Sequence, residues 1–275
     1  MSTRCFLALT GWMVALGMLL APVAVPAQDA AEAESILPGP PEITYFEATA
    51  SFICPVHLPE NYDPEQSYPL VVGLHGYASS PQRFHSLYYA FENPGFIYAA
   101  PQAPYALPMG SELGYGWLPD LQNDDLYEHF SQVTQEYVLT LIDQLKARYH
   151  VSEVYLLGFS QGCALSYLVG FNNPELVSGL ICYGGWLETS WFTNEQFEAA
   201  KGIPVFIGYG RDDQLMGYDK AAAAMDELAS RGFTVELYGY DEGHSITADA
   251  LKTAQQWMFG DSEPTGPPDD EAGIL

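Results

Sequence analysis

Short apolar runs alternate along the chain with longer segments in which apolar residues recur at helical spacing. Several of the runs are apolar throughout, which is typical of strands buried on both faces of a sheet. We predict strands at residues 43–50, 51–58, 69–74, 96–100, 154–157, 178–183, 204–209 and 234–238. Spacings of three and four residues predict helices at 126–149, 161–170, 219–230 and 247–258.

This alternation of strand and helix is typical of α/β proteins. Neighbouring parallel strands need a crossover connection, and a helix supplies it, so the pattern predicts a mostly parallel central sheet with helices on both faces. In such sheets the residues that carry chemistry collect at the carboxyl ends of the strands. Functional residues are therefore expected in the segments that directly follow the predicted strands.

The first 27 residues have the composition of a secretory signal peptide. They carry a single charge, Arg4, then an apolar stretch over 5–20, and end in the small residues Val25-Pro26-Ala27. An uncleaved membrane anchor is the alternative, but the apolar stretch is short and two glycines interrupt it. We therefore expect a secreted or periplasmic protein.

Two further segments differ from the body of the chain. Residues 28–41 are rich in alanine, glutamate and proline and are predicted to form a flexible leader, while residues 261–275 form an acidic, proline-containing tail that is predicted to be disordered. The part between them, 42–260, is long and apolar enough for one domain with a sizeable core. It is predicted to be the folded domain that carries the function.

Acidic residues greatly outnumber basic ones, 35 to 9, and the formal net charge is −26. Nucleic acids and anionic membrane surfaces are repelled by such a field, so neither is expected as a partner. No later stretch predicts integral membrane association once the signal is removed. The acids are scattered, which favours a role in solubility over the alternative, attraction of cationic substrates. No oligomeric state is predicted.

Cysteine and histidine usage gives no sign of a metal or disulfide framework. Cys54, Cys163 and Cys182 remain after signal removal, an odd number without paired spacing, and two of them lie in or beside apolar segments. The six histidines do not cluster in the sequence. We therefore predict neither a metal site nor a cofactor.

The segment Gly158-Phe159-Ser160-Gln161-Gly162 carries the most specific signal. It joins a predicted strand to a predicted helix and has the Gly-x-Ser-x-Gly pattern of a nucleophile elbow, in which a sharp turn lifts the serine hydroxyl above the sheet. Glycine neighbours are needed because the turn strains the backbone and leaves no room for side chains. Ser160 is thus the candidate nucleophile.

A serine nucleophile requires a base to accept its proton and an acid to orient that base. With this elbow the order along the chain is serine, acid, histidine. The strand at 204–209 is followed by Asp212 and Asp213, either of which can be the acid. The last predicted strand is followed by Gly243-His244, which makes His244 the candidate base.

Backbone N–H groups are expected to form an oxyanion hole. Gln161 follows the nucleophile and supplies one donor at the start of the helix. The other donor is assigned to Tyr77, in the His75-Gly76-Tyr77 loop after the strand at 69–74. We expect His75 to be structural, forming hydrogen bonds with neighbouring loops.

Over about residues 45–258 the chain resembles the phospholipase/carboxylesterase family of α/β-hydrolases. The resemblance rests on Leu74-His75-Gly76, the elbow, Asp213-Gln214-Leu215 and Gly243-His244-Ser245. It implies the α/β-hydrolase fold and selects Asp213 over Asp212, because in that family a small or polar residue and then two apolar residues follow the catalytic aspartate, as in Asp213-Gln214-Leu215-Met216. The chain departs from the family at Cys163, where a glycine is usual. Residues 58–64 are similar to secreted polyester and feruloyl esterases, so the resemblance does not identify which ester is the substrate.

Aromatic residues on segments that flank the elbow are predicted to form a pocket for an acyl chain or an aryl group. They are Tyr105, Tyr115, Trp117, Trp186, Trp191 and Phe192. The alternative is that several of them simply pack under a long loop at 102–125. The predicted function is hydrolysis of small-molecule carboxylic esters through an acyl-enzyme. A serine peptidase and a non-catalytic binding protein on the same fold are the alternatives.

Overall fold

The computed structural model describes residues 50–119 and 124–260. Their centre is a seven-stranded sheet in the order β1-β3-β2-β6-β7-β8-β9, parallel except at β1. Its strands are β1 (Val56–His57), β2 (Tyr68–Leu74), β3 (Ile97–Ala99), β6 (Val151–Phe159), β7 (Gly179–Tyr183), β8 (Val205–Gly210) and β9 (Val235–Tyr240). The predicted α/β-hydrolase architecture, a mostly parallel sheet with helices on both faces, is confirmed.

Six helices and a hairpin complete the described fold. The helices are α1 (Pro81–Phe84), α2 (Asp124–Arg148), α3 (Gln161–Asn172), α4 (Asn194–Ala200), α5 (Tyr218–Ser230) and α6 (Ala248–Phe259). Short 3₁₀ turns lie at His85–Ala90 and Thr189–Trp191. Strands β4 (Tyr105–Met109) and β5 (Glu112–Gly116) pair with each other as an antiparallel hairpin and with no strand of the central sheet.

The apolar runs are fully buried because both faces of the sheet are covered. Along β2, Leu70, Val72 and Leu74 pack into one core with residues of α2, α3, α4 and α5, while Val71 points into a second core with residues of α1 and α6. This alternation follows the two-residue period of a strand. A strand covered on both faces has no polar side, and its sequence is therefore a continuous apolar run.

Two local predictions are corrected by the structure. Only Val56–His57 of the strand predicted at 51–58 pairs with the sheet, and residues 102–125, predicted as a long loop, contain the β4–β5 hairpin. The strand predicted at 43–50, the signal peptide, the leader and the tail lie outside the described residues, apart from Ala50. Within the described residues, no helix combines the length and the apolar character needed to cross a bilayer.

Candidate active site

Ser160 lies at the turn between β6 and α3 in a backbone conformation that few side chains adopt. Its φ is 55° and its ψ is −115°, and its N–H donates a 2.9 Å hydrogen bond to the carbonyl oxygen of Tyr183 in the next strand. A non-glycine residue in a sparsely populated region of this kind costs about 1–3 kcal/mol. The surrounding fold must hold the strained turn, which presents the Ser160 side chain at the carboxyl edge of the sheet.

The two glycines of the elbow are required by close backbone approach. A Cβ atom on Gly162 would lie 1.9 Å from the carbonyl oxygen of Leu74, and one on Gly158 would lie 2.2 Å from the carbonyl oxygen of Gly162. Both distances are far inside van der Waals contact. The absence of side chains therefore lets α3 start directly against the end of β2.

Three side chains from three loops form one chain of hydrogen bonds. Nδ1 of His244, which follows β9, lies 2.7 Å from Oδ2 of Asp213, which follows β8. Nε2 of the same imidazole lies 3.1 Å from Oγ of Ser160. An ionised carboxylate can only accept, so Nδ1 carries the proton and Nε2 is left as the acceptor that faces the serine hydroxyl.

Asp213 is held as a carboxylate by its hydrogen bonds. Burial by itself raises the pKa of this carboxyl, but the bonds from the N–H of Met216, from His244 and from the N–H of Leu215 outweigh it and the pKa falls below the usual value. Both backbone bonds, each 2.8 Å, end on Oδ1, which leaves Oδ2 for the imidazole. Asp212, the competing candidate, is exposed and contributes its N–H to the carbonyl of Glu242.

The two predicted oxyanion donors lie on segments that adjoin Ser160. Gln161 begins α3, and a Cβ on Gly76, next to Tyr77, would lie 3.4 Å from Cβ of Ser160. Within the described part of the chain, neither the Tyr77 N–H nor the Gln161 N–H donates to a protein group. Both donors are therefore available to an oxygen bound beside the serine.

His75 is buried and forms two hydrogen bonds with backbone groups. Its Nδ1 donates to the carbonyl of Gly76 at 2.8 Å, and its Nε2 accepts from the N–H of Ala103 at 3.3 Å. Burial lowers the pKa of the imidazole to about 4, although the bond to Gly76 acts in the opposite direction. The ring therefore stays neutral and joins the loop after β2 to the loop after β3, which is a structural role.

We expect His75 to make the folded protein sensitive to acid. An unfolded histidine has a pKa of about 6.5, so the unfolded chain binds this proton more readily than the native one. The contribution of neutral His75 to the free energy of unfolding is therefore complete above the unfolded pKa. It is lost as the pH falls towards about 4, the pKa of His75 in the folded protein. The loss reaches about 3 kcal/mol. Urea unfolding of the wild type and of His75→Gln across this range measures it; equal pH dependence in the two proteins would contradict the assignment.

The side chain of Gln161 has a second role that the sequence did not reveal. Its Oε1 accepts from the N–H of Trp117 at 2.8 Å, and its Nε2 donates to the carbonyl of Leu118 at 2.8 Å. The Trp117 indole Nε1–H donates to the carbonyl of His75 at 2.7 Å, and Thr134 donates to the Trp117 carbonyl at 2.8 Å. Apart from Thr134 and Trp117, which are 17 residues apart, the partners are more than forty residues apart in sequence, so no local pattern predicts these contacts.

The six aromatic residues predicted for the pocket occupy different environments. Trp117 has no exposed surface, so it packs beneath the site and is not part of an open wall, which corrects that expectation. Phe192 packs against Phe171 and Phe197, with ring centroids 5.3 and 5.4 Å apart. The Trp191 ring lies 5.8 Å from that of Tyr127.

The other three predicted pocket residues lie closer to the surface. Tyr105 is half-buried and its hydroxyl donates to the carbonyl of Phe130 in α2. Tyr115 and Trp186 are also half-buried, the first donating its N–H to the carbonyl of Ser79 beside the loop that carries Tyr77. Tyr77 itself is 52% exposed. Tyr77, Tyr115 and Trp186 thus keep accessible surface on segments that adjoin the elbow.

Cys163, the departure from the family pattern, is buried in the first turn of α3. A Cβ on Gly185 would lie 2.5 Å from its Sγ, so the thiol fills the space between the helix and the loop after β7. Burial raises the pKa of this thiol well above its ordinary value, and Cys182 adds to the effect. Cys163 is therefore a neutral packing residue.

Within residues 50–119 and 124–260, no group of three or more histidine, cysteine, aspartate or glutamate side chains is arranged to hold a metal ion. The groups that the structure brings together at the elbow are a serine, a histidine and an aspartate, beside the two segments that carry the candidate N–H donors. This set of groups is the one that acyl transfer by serine employs.

Comparisons with known proteins find relatives named as carboxylesterases and thioesterases. A probable carboxylesterase SOBER1-like from Arabidopsis thaliana is 34% identical over 107 residues, which cover 38% of this chain and 41% of that protein. Acyl-protein thioesterase 1 of Gibberella zeae is 24% identical over 197 residues, covering 67% of this chain and 83% of the relative. Of the first three curated relatives, the SOBER1-like protein among them, the chain spans less than half the length.

The crystal structure of esterase PE8 has a similar fold. Its TM-score is 0.61 at 24% identity, and the match covers 76% of this chain and 98% of that one. Residues 61–259 match the profile of the Phospholipase/Carboxylesterase family, which is most of the chain. The resemblance predicted from the elbow and the two later motifs is confirmed, and the chain belongs to the phospholipase/carboxylesterase family.

Proposed function

We propose that the protein is a secreted serine carboxylic-ester hydrolase that acts through an acyl-enzyme on short or medium acyl esters or aryl esters. The observation that carries the proposal is the hydrogen-bonded chain from Asp213 through His244 to Ser160. The family membership and the carboxylesterase and thioesterase names of the relatives support the same class of reaction.

Acylation begins with attack by Oγ of Ser160 on the ester carbonyl carbon. Nε2 of His244 accepts the hydroxyl proton as the new bond forms, and the Asp213 carboxylate stabilises the resulting imidazolium and fixes its orientation. Negative charge develops on the carbonyl oxygen, where the N–H groups of Tyr77 and Gln161 donate to it. The imidazolium then gives its proton to the leaving alcohol.

Deacylation repeats these steps with water as the nucleophile. His244 takes a proton from the water, the hydroxide attacks the acyl carbon, and the proton returns to Oγ of Ser160 as the acid leaves. The same two N–H groups stabilise the second oxyanion. His244 therefore carries every proton transfer that the reaction requires, and the backbone N–H groups stabilise both oxyanions.

Charge and exposed aromatic surface support small, weakly charged esters as substrates. With a net charge of −26, the protein repels anionic substrates most strongly at low ionic strength. The half-buried Tyr115 and Trp186, together with the exposed Tyr77, offer apolar area to an acyl or aryl group.

The proposal has two further parts that rest on the sequence alone. Residues 1–27 direct export of the protein, and residues 42–260 form its catalytic domain.

A substrate series tests the reaction class. We expect the purified protein to hydrolyse p-nitrophenyl esters from acetate to dodecanoate with a maximum at short or medium length. Matched acyl thioesters and peptide p-nitroanilides run in parallel. A fluorophosphonate should add covalently to Ser160, read as a mass increase on the peptide that contains the elbow, and heat-unfolded protein is the control.

Other outcomes of the substrate series would support other functions. Faster turnover of the anilides than of the esters would indicate a serine peptidase. A preference for thioesters would indicate a thioesterase, as named for the Gibberella zeae relative. No turnover in the whole series and no adduct at Ser160 would support a binding protein that only retains the fold.

A further inference from the structure

Residues 117–118 are hydrogen-bonded to both segments that carry the oxyanion donors. On one side Gln161, itself a donor residue, holds the Trp117 N–H and the Leu118 carbonyl through its side-chain amide. On the other side the Trp117 indole holds the His75 carbonyl, two residues before Tyr77. We propose that Trp117 and the Gln161 side chain are positioning residues that fix the separation of the two oxyanion N–H groups.

Burial makes these contacts well suited to positioning. Trp117 and Thr134 have no exposed surface, and Leu118 is 3% exposed. The bonds from the Trp117 indole and from Thr134 are buried away from competing water, while the Gln161 side chain is half-buried. An unpaired buried donor or acceptor is unfavourable, so the buried bonds determine the geometry strongly. Thr134 adds an anchor, because its hydroxyl bond to the Trp117 carbonyl ties residues 117–118 to the long helix α2.

The sheet ladder that joins the two donor segments ends at the pair Leu74 and Gly158, three residues before each donor, so the Trp117 link acts on the part of each segment that the ladder does not reach. Gln161 starts α3, while Tyr77 lies in the loop after β2, next to Ala78 with a φ of 60°. Their N–H groups have no acceptor among the described residues. Residues 117–118 connect the two segments. The Trp117 indole donates one hydrogen bond to the loop after β2, and the Trp117 N–H and the Leu118 carbonyl form two with the Gln161 side chain.

A loss of this link should affect the transition state more than the bound substrate. The N–H groups donate to the carbonyl oxygen most strongly when it becomes an oxyanion, and full removal of one such donor lowers kcat by a factor of about 10²–10³. Displacement without removal should cost less. For Trp117→Phe, which keeps an aromatic ring and loses the indole N–H, we expect kcat to fall by about 10–100-fold with KM within about three-fold.

A boronic acid provides a readout that a purely structural role does not move. Boronates bind the serine oxygen as tetrahedral adducts, with an oxygen in the place of the oxyanion. We expect the inhibition constant of phenylboronic acid to rise by the same factor by which kcat falls, since both report on the two N–H groups. Active-site titration with the fluorophosphonate corrects for any unfolded fraction.

Tyr98→Phe is the matched control. Tyr98 is also fully buried, and its hydroxyl donates to a backbone carbonyl, that of Phe84, at 3.2 Å. This variant loses a hydrogen bond of the same kind away from the oxyanion segments. We expect it to lower the melting temperature as Trp117→Phe does, while kcat and the boronate inhibition constant stay within about two-fold of wild type.

Two further variants test the positioning role if Trp117→Phe does not fold. Gln161→Met keeps the backbone donor but removes both side-chain bonds, and Thr134→Val removes the anchor on Trp117 together with a longer, 3.5 Å bond to the Tyr105 hydroxyl. Both should lower kcat and weaken boronate binding together, Thr134→Val less. The inference builds on the ester-hydrolase proposal, which fails separately if wild-type protein is inert. An active wild type and folded variants with unchanged kcat and boronate affinity would overturn the positioning role alone.

Discussion

Replacing Ser160 with alanine is expected to lower kcat for p-nitrophenyl esters by a factor of about 10³–10⁶ while the protein remains folded. The lower figure allows for hydrolysis by a water that His244 activates beside the intact oxyanion donors, and the upper figure is the size of a full loss of the nucleophile. Alanine keeps the Cβ atom of serine, so the strained turn is changed little. Steady-state kinetics and the melting temperature measure the two effects.

Ser166→Ala is the control for this variant. Ser166 lies buried on the same helix, but its hydroxyl donates to the carbonyl of Gly162 at 3.0 Å and has no histidine partner. We expect its kcat to stay within about three-fold of wild type. Activity of Ser160→Ala comparable to that of Ser166→Ala would refute the nucleophile assignment, provided that a contaminating esterase has been excluded by fluorophosphonate labelling.

The second large effect is expected for Asp213→Asn, with a fall in kcat of about 10⁴-fold. Oδ1 of Asp213 accepts from the N–H groups of Leu215 and Met216, so the asparagine oxygen will take that place and its NH₂ group will face His244. An amide donor opposite Nδ1 forces the proton onto Nε2. The imidazole would then present an N–H to Ser160 and could not accept the hydroxyl proton.

Asp212→Asn tests the neighbouring candidate with the same chemical change. Asp212 is exposed and bonds to the Glu242 carbonyl through its backbone, which the substitution leaves intact. We expect kcat within about three-fold of wild type. If Asp212→Asn lost more activity than Asp213→Asn, the acid would have been assigned to the wrong aspartate, although the nucleophile and base would stand.

The central sheet was predictable from the sequence because it is buried on both faces. The run Pro-Leu-Val-Val-Gly-Leu at 69–74 has no polar residue, and β2 includes all of it. The strand at 154–157 was predicted too short, since β6 begins at Val151 and its first residues are half-buried or exposed. The buried part of a strand is recognisable in the sequence as an apolar run, whereas the exposed ends of a strand contain polar residues and are harder to predict.

The β4–β5 hairpin was missed for a related reason. It pairs with no strand of the central sheet, its residues are mostly exposed or half-buried, and Pro108 lies inside β4. Proline and a mostly exposed surface are typical of loops as well as of edge strands. Helix α4, by contrast, carries a signal that was overlooked, a capping box in which Thr193 and Gln196 hydrogen-bond to each other's backbone.

The main site residues could be predicted because their chemistry fixes their place in the fold. A serine between two glycines after a strand, and an aspartate and a histidine after later strands, meet at one edge when the strands are parallel. The contacts of the Gln161 side chain could not be predicted, because Trp117 reaches it only through the tertiary fold. Sequence position identifies reacting groups more readily than the residues that hold them in place.

The backbone of Ser160 has a consequence for attempts to improve the protein. Glycine adopts positive φ without the penalty that serine bears there, so the fold would gain stability if the reactive hydroxyl were given up. Stability and function therefore compete at this position. A library selected for heat resistance alone would favour inactive survivors with glycine at the elbow, so each round of directed evolution needs a parallel screen for turnover.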